Sequence, residues 1–154
     1  AGATAEWAVS SLRYPPHGRR TFGPFIAHSY ENVPLPAYAG AVDDTLTCCV
    51  LAETAAAVAN IAEICAVPGV DIIIPAQFDL STSLGIPGQF DAPEFLEAMA
   101  EIEAACRAAD IPLGGVAMSA EQAQGMFARG YRVIAAFDVL MLKAKVAEAQ
   151  SWLA

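Results

Sequence analysis

Charge is scarce in this chain, and basic charge is scarcest. Only 16% of its 154 residues are charged, and 8 Lys and Arg stand against 17 Asp and Glu, a formal net charge of −9. A surface of that sign repels a phosphate backbone, so nucleic acid is not an expected partner. It is equally unsuited to an anionic membrane surface. Long apolar runs are also missing. The richest stretches, 70–75 and 133–142, fall short of the roughly 20 residues that cross a bilayer, and the second contains Asp138. The first residues lack the basic flank and apolar core of a secretory leader, so a cytoplasmic location is expected. The four cysteines, Cys48, Cys49, Cys65 and Cys106, form no CxxC pair and have no histidine nearby. Buried free thiols are the expectation. A zinc motif, a Gly-rich phosphate loop and a Ser-His-Asp arrangement are all absent.

What is abundant is apolar side chain, at 56% of residues. That excludes a disordered tail and suffices for one domain with a core. Strand-like and helix-like segments alternate. A helix is expected over 3–12, followed by a long irregular stretch at about 13–44 that carries seven Pro and Gly residues before Ala37. Apolar strand-like runs cover 46–52, 70–75, 113–118 and 131–137, continuous in character as buried parallel strands are. Helices are expected between and after them. One covers 54–66 and is closed by Pro68-Gly69; one follows a capping box of Asp91 and Glu94; one is capped by Ser119; the last covers 139–153. The stretch 77–89 reads as a polar loop. The order is one helix and then four βα units, which implies a parallel sheet covered by helices. An open doubly wound sheet and part of a barrel both fit. A complete (β/α)8 barrel needs about 250 residues, so this chain can supply only about half of one.

Two carboxylates stand out by position. Glu53 ends the first strand and Asp79 follows the second. Parallel βα architectures bind ligands at that end of the sheet. A pair of carboxylates there suits Mg²⁺ or Mn²⁺, which prefer oxygen ligands and retain several waters. The alternative is that Glu53 caps its own helix and Asp79 a turn. The histidines, His17 and His28, have no partner at ligand spacing and are expected at the surface. Arg13, Arg19 and Arg20 flank the Pro-Pro-His-Gly turn, either to bind an anion or to tether the loop.

Several stretches in a fixed order resemble the HpcH/HpaI aldolase/citrate lyase family. They are Arg13-Tyr14-Pro15-Pro16 with Gly18-Arg19, Ala52-Glu53-Thr54, Ala66-Val67-Pro68-Gly69-Val70-Asp71, Asp79-Leu80-Ser81-Thr82-Ser83-Leu84-Gly85, and Asp138-Val139. The resemblance implies an α/β fold, a (β/α)8 TIM barrel of which this chain is about the C-terminal half, as a single domain over 1–154. It implies a metal-dependent class II aldolase, a lyase that splits a 4-hydroxy-2-oxo acid into pyruvate and an aldehyde. A CoA-thioester lyase of the citrate or malyl type and a non-catalytic 2-oxo acid-binding homologue are the alternatives. The family's metal ligands fall on Glu53 and Asp79, for Mg²⁺ or Mn²⁺ with Co²⁺ a further candidate. The amides that hold the pyruvate carboxylate fall at Phe78 and Asp79. The histidine and arginine that complete the family's site lie in the N-terminal half of the barrel, upstream of Ala1, and a homo-oligomer is expected. Three positions depart from the family pattern. Ala76-Gln77 replaces Gly-Pro, Leu51 stands where Gln is common, and Ala136-Phe137 replaces a small pair. Phe137 is expected at the substrate pocket, where its ring would favour small or aromatic aldehydes.

Overall fold

Helix α1, Gly2–Leu12, opens the chain in the computed structural model, which describes residues 2–23 and 34–152. It is followed by α2 (Leu35–Thr45), β1 (Cys49–Ala52), α3 (Ala55–Ala59), α4 (Ile61–Cys65), β2 (Ile72–Pro75) and α5 (Gln77–Ser83). Then come α6 (Pro93–Ala108), β3 (Gly114–Val116), α7 (Ala120–Ala128), β4 (Val133–Ala135) and α8 (Asp138–Ser151). Every expected strand is present, each shorter than its apolar run.

Strand order decides between the two architectures. β1 pairs in parallel with β2, from Cys49 opposite Ile72 to Ala52 opposite Pro75, and β3 pairs in parallel with β4. A parallel bridge between Ile73 and Leu113 joins the two pairs. The spatial order β1-β2-β3-β4 therefore follows the chain, without the reversal that marks a doubly wound sheet. This is the strand sequence of a barrel wall.

The core lies between the sheet and its helices. Phe95, Met99, Ile102 and Cys106 recur at helical spacing on α6, and all are buried against Ile61, Ile64 and Cys65 of α4 and Ile73 of β2. Ile73 and Ile102 are fully excluded from solvent. The other sheet face is thinly covered: Leu51 is 53% exposed, and Gly114 approaches Ile72 and Ile74 so closely that a Cβ there would lie 2.7 Å from the Ile74 side chain.

Several expectations need correction. Residues 77–83 are helical rather than a loop. Nothing from Gln77 to Leu84 breaks a helix, Leu80 is fully buried, and Gly85, at φ 78°, ends it. The long stretch at 13–44 contains most of α2, with Pro36 in its first turn, where a missing N–H costs nothing. The single helix at 54–66 is two short ones, because Asn60 leaves helical geometry at φ −119° and ψ 18°. Ala92, not Asp91, is the N-cap of α6, and no side chain caps it; Pro93 takes the first position instead. Cys48, Cys65 and Cys106 are buried, but Cys49 is exposed, since β1 alternates between a covered and an open face.

The Pro-Pro turn is tethered rather than poised for an anion. Arg13 and Arg20 donate to the carbonyls of Leu46 and Leu12, and the guanidinium groups of Arg19 and Arg20 lie over Trp7 and Tyr14. Asp43 of α2 accepts the Tyr14 amide at 3.0 Å, and exposed His17 lies 3.7 Å from the same carboxylate. His28 lies outside the described residues.

Candidate functional site at the strand ends

Four consecutive parallel strands point their C-terminal ends the same way, so the residues just beyond them share a rim. The ladder between β1 and β2 continues one step past the strands, where the Ala76 amide donates to the Ala52 carbonyl at 3.1 Å. There the chains part. Glu53 and Thr54 lead into α3, and Gln77 opens α5.

Thr54, not Glu53, caps α3: its hydroxyl accepts the Ala57 amide at 3.0 Å. Glu53 is thereby left exposed at the strand end, and Asp79, in the first turn of α5, is exposed as well. Among the described residues neither carboxylate has a hydrogen-bond or ion-pair partner. No group of three or more His, Cys, Asp and Glu comes together among those residues either. An ion held by these two side chains would therefore draw its other ligands from water or substrate, the habit of Mg²⁺.

A cavity of about 720 Å³ runs along this rim. Leu51, Ile74 and Val116 line it from the three strands, and Phe78, Asp79 and Phe137 from the residues beyond them. The structure thus brings three of the four candidate residues to one space. Glu53 borders a separate depression beside α1 and α3. Phe137, the residue before α8, is 45% exposed. The Phe78 ring packs edge-on against Phe90, which packs against buried Phe95, so α5 is anchored to the core at its first turn. The first intrahelical bond of α5 runs from the Leu80 amide to the Ala76 carbonyl, so the amides of Phe78 and Asp79 have no acceptor within the helix.

Met118, Gln122 and Arg129 also line the cavity, and sequence reasoning missed them. Met118 lies two residues past β3, so its position near a strand end was an available signal. Gln122 offered a signal as well, because Ser119-Ala120-Glu121-Gln122 has capping-box spacing. The Ser119 hydroxyl accepts the Gln122 amide at 3.2 Å, and the Gln122 side chain accepts the Met118 amide at 2.8 Å. Arg129 had none, since its approach depends on how α7 docks. It lies 3.6 Å from Glu103 and stacks over Tyr131.

These βα units, with their strands in chain order and a cavity at the strand ends, form part of a (β/α)8 barrel. Solved barrels agree: an HpcH/HpaI aldolase/citrate lyase family protein from Burkholderia cenocepacia superposes with a TM-score of 0.87 at 27% identity, covering 99% of this chain and 61% of that one. An HpcH/HpaI aldolase from Desulfitobacterium hafniense does so with a TM-score of 0.82, also at 27% identity, covering 99% and 60%. The model of the HpcH/HpaI aldolase/citrate lyase family matches residues 1–143, and the chain belongs to that family. A 2-dehydro-3,6-dideoxy-6-sulfogluconate aldolase of Pseudomonas putida is 33% identical over 145 residues, 94% of this chain and 56% of that protein. A 2-keto-3-deoxy-L-rhamnonate aldolase of Escherichia coli is 34% identical over 135 residues, 86% and 51%. The chain spans about half the length of the curated relatives it matches.

Proposed function

We propose that this chain carries the metal-binding rim of a class II aldolase, a lyase that cleaves a 4-hydroxy-2-oxo acid to pyruvate and an aldehyde. The observation that carries the reading is the pair of unpartnered carboxylates, Glu53 and Asp79, following adjacent parallel strands, with Asp79 lining the cavity at the strand ends and Glu53 bordering the neighbouring depression. Both aldolases named above act on 2-oxo acids without a hydroxyl at carbon 3, which favours the aldolase over a CoA-thioester lyase. Breaking the bond between carbons 3 and 4 of such an acid leaves an electron pair on carbon 3, and protonation there yields pyruvate. Carbon 4 loses its hydroxyl proton and becomes the aldehyde.

Hard oxygen donors suit Mg²⁺ or Mn²⁺, and Co²⁺ is a further candidate. Such an ion supplies Lewis acidity against the charge that develops on the 2-oxo oxygen. The chain's own part is to hold the substrate. The amides of Phe78 and Asp79, free of helix partners, donate to the pyruvate carboxylate, and the apolar wall of Leu51, Ile74 and Val116 keeps the methylene side dry. Phe137 borders the acceptor side and limits aldehyde size. The proton-transfer histidine and the steadying arginine belong to the N-terminal half of the barrel, which further polypeptide provides. Exposed apolar residues along α8, among them Val139, Met141, Leu142 and Val146, support an oligomeric assembly.

In the complete barrel, Glu53→Gln and Asp79→Asn should each abolish Mg²⁺- or Mn²⁺-dependent release of pyruvate, followed with a coupled pyruvate assay. Undiminished cleavage after EDTA treatment would sink the metal reading.

A further inference from the structure

Two ligands on different strands need a fixed spacing, and the β-ladder stops short of supplying it. Beyond the bond from the Ala76 amide to Ala52, the paths that carry Glu53 and Asp79 diverge into α3 and α5. One hydrogen bond among the described residues rejoins them. The Ala55 amide donates to the Ser83 hydroxyl at 3.0 Å, across 28 residues of sequence. Ala55 is the first residue of α3, so its N–H has no acceptor within that helix. Glu53 lies two residues before it. Ser83 is the last residue of α5 and stands four residues after Asp79, which places both side chains on the same face of that helix. The face of α5 that presents Asp79 therefore also carries the hydroxyl that holds the turn following Glu53.

We propose that Ser83 is a positioning residue for the metal site, a clasp that sets the spacing of Glu53 and Asp79 without touching the ion. The inference rests on the reading of those carboxylates as ligands. Other features of the segment do different work. The Ser81 hydroxyl donates to the Phe78 carbonyl at 2.8 Å and accepts the Gly88 amide at 3.0 Å, which fixes the loop behind α5. The Thr82 hydroxyl turns back onto its own helix. The bond made by Ser83 is exposed, so water replaces it at little cost to the fold, and its loss falls on geometry.

The test is Mn²⁺ affinity, read by EPR on the protein carrying its complete barrel. Ser83→Ala should weaken binding about 10-fold, the scale on which outer-shell partners act. Ser83→Thr keeps the hydroxyl and should restore it, and neither variant should shift the melting temperature appreciably. Unchanged affinity in Ser83→Ala, with binding lost in Glu53→Gln, would overturn the clasp and leave the metal site standing. Mn²⁺ affinity that survives both Glu53→Gln and Asp79→Asn would overturn the ligand assignment itself, and the clasp with it.

Discussion

Cys65 and Cys106 face each other across the α4–α6 contact, with their sulfurs 4.0 Å apart. Burial, followed by the neighbouring Cys65, pushes the Cys106 thiol from the usual 9.0 up to about 12. The sign follows directly. Below pH 9 both folded and unfolded chains hold the proton, and the contribution to stability is complete. From pH 9 to about 12 only the folded state keeps it, so stability falls as pH rises, by up to about 1.4 kcal/mol per unit. Urea midpoints at pH 8 and 10.5 should fall more steeply for the parent than for Cys106→Ala. Burial raises the Tyr131 phenol as well, and its hydrogen bond to Glu103 at 2.8 Å adds to that, so some slope should persist in the variant. Phe137 is the residue to change for specificity. Phe137→Ser in a complete barrel should shift kcat/KM toward larger, more polar aldehydes by about 1–3 kcal/mol, the range of pocket-volume changes. An unaltered acceptor preference with reduced stability would make the ring a packing residue only.

Among the elements, α6 carries the core and α8 carries none of it. Four buried residues at helical spacing hold α6 to α4 and β2, while no residue of α8 is buried. Ile102→Ala should therefore cost about 2–5 kcal/mol in urea denaturation, as deletion of a fully buried branched side chain does. The loss should appear without any change in Mn²⁺ affinity, because α6 lies behind the sheet, away from the rim. The turn into β2 is similarly constrained. Gly69 sits at φ 91°, with Val9 of α1 where a Cβ would be, so α1 closes over the α4–β2 turn.

At the scale of the molecule, four parallel strands in chain order leave β1 and β4 without outer neighbours among the described residues. Leu51, Phe78, Met118 and Phe137 are all more than 40% exposed, with the α8 residues adding to the apolar surface. Open edges and apolar patches of this kind invite association. The 154 residues by themselves should self-associate or aggregate, as read by size-exclusion chromatography with light scattering. A monomer with a sharp two-state melt would contradict the proposal that further strands complete the barrel. No helix among the described residues is long and apolar enough to cross a membrane.

Alternation of apolar runs with helical periodicity was enough, from the residues alone, for the four βα units and for the buried face of α6, because both patterns reflect local burial. Ser119 as a cap was legible for the same local reason. The motifs around Glu53 and Asp79 marked the candidate carboxylates by their place after strands. Choosing a barrel wall over a doubly wound sheet required the family resemblance, since both share one local pattern, and the observed strand order then supplied a physical basis. Residues 77–83 misled because their Ser and Thr content reads as a turn, and only docking of Leu80 into the core makes them a helix. The cavity's reach to Arg129 and the bond from Ala55 to Ser83 depend on which elements meet across 28 or more residues of chain. Nothing in a local stretch encodes such meetings, and they were settled by tertiary packing.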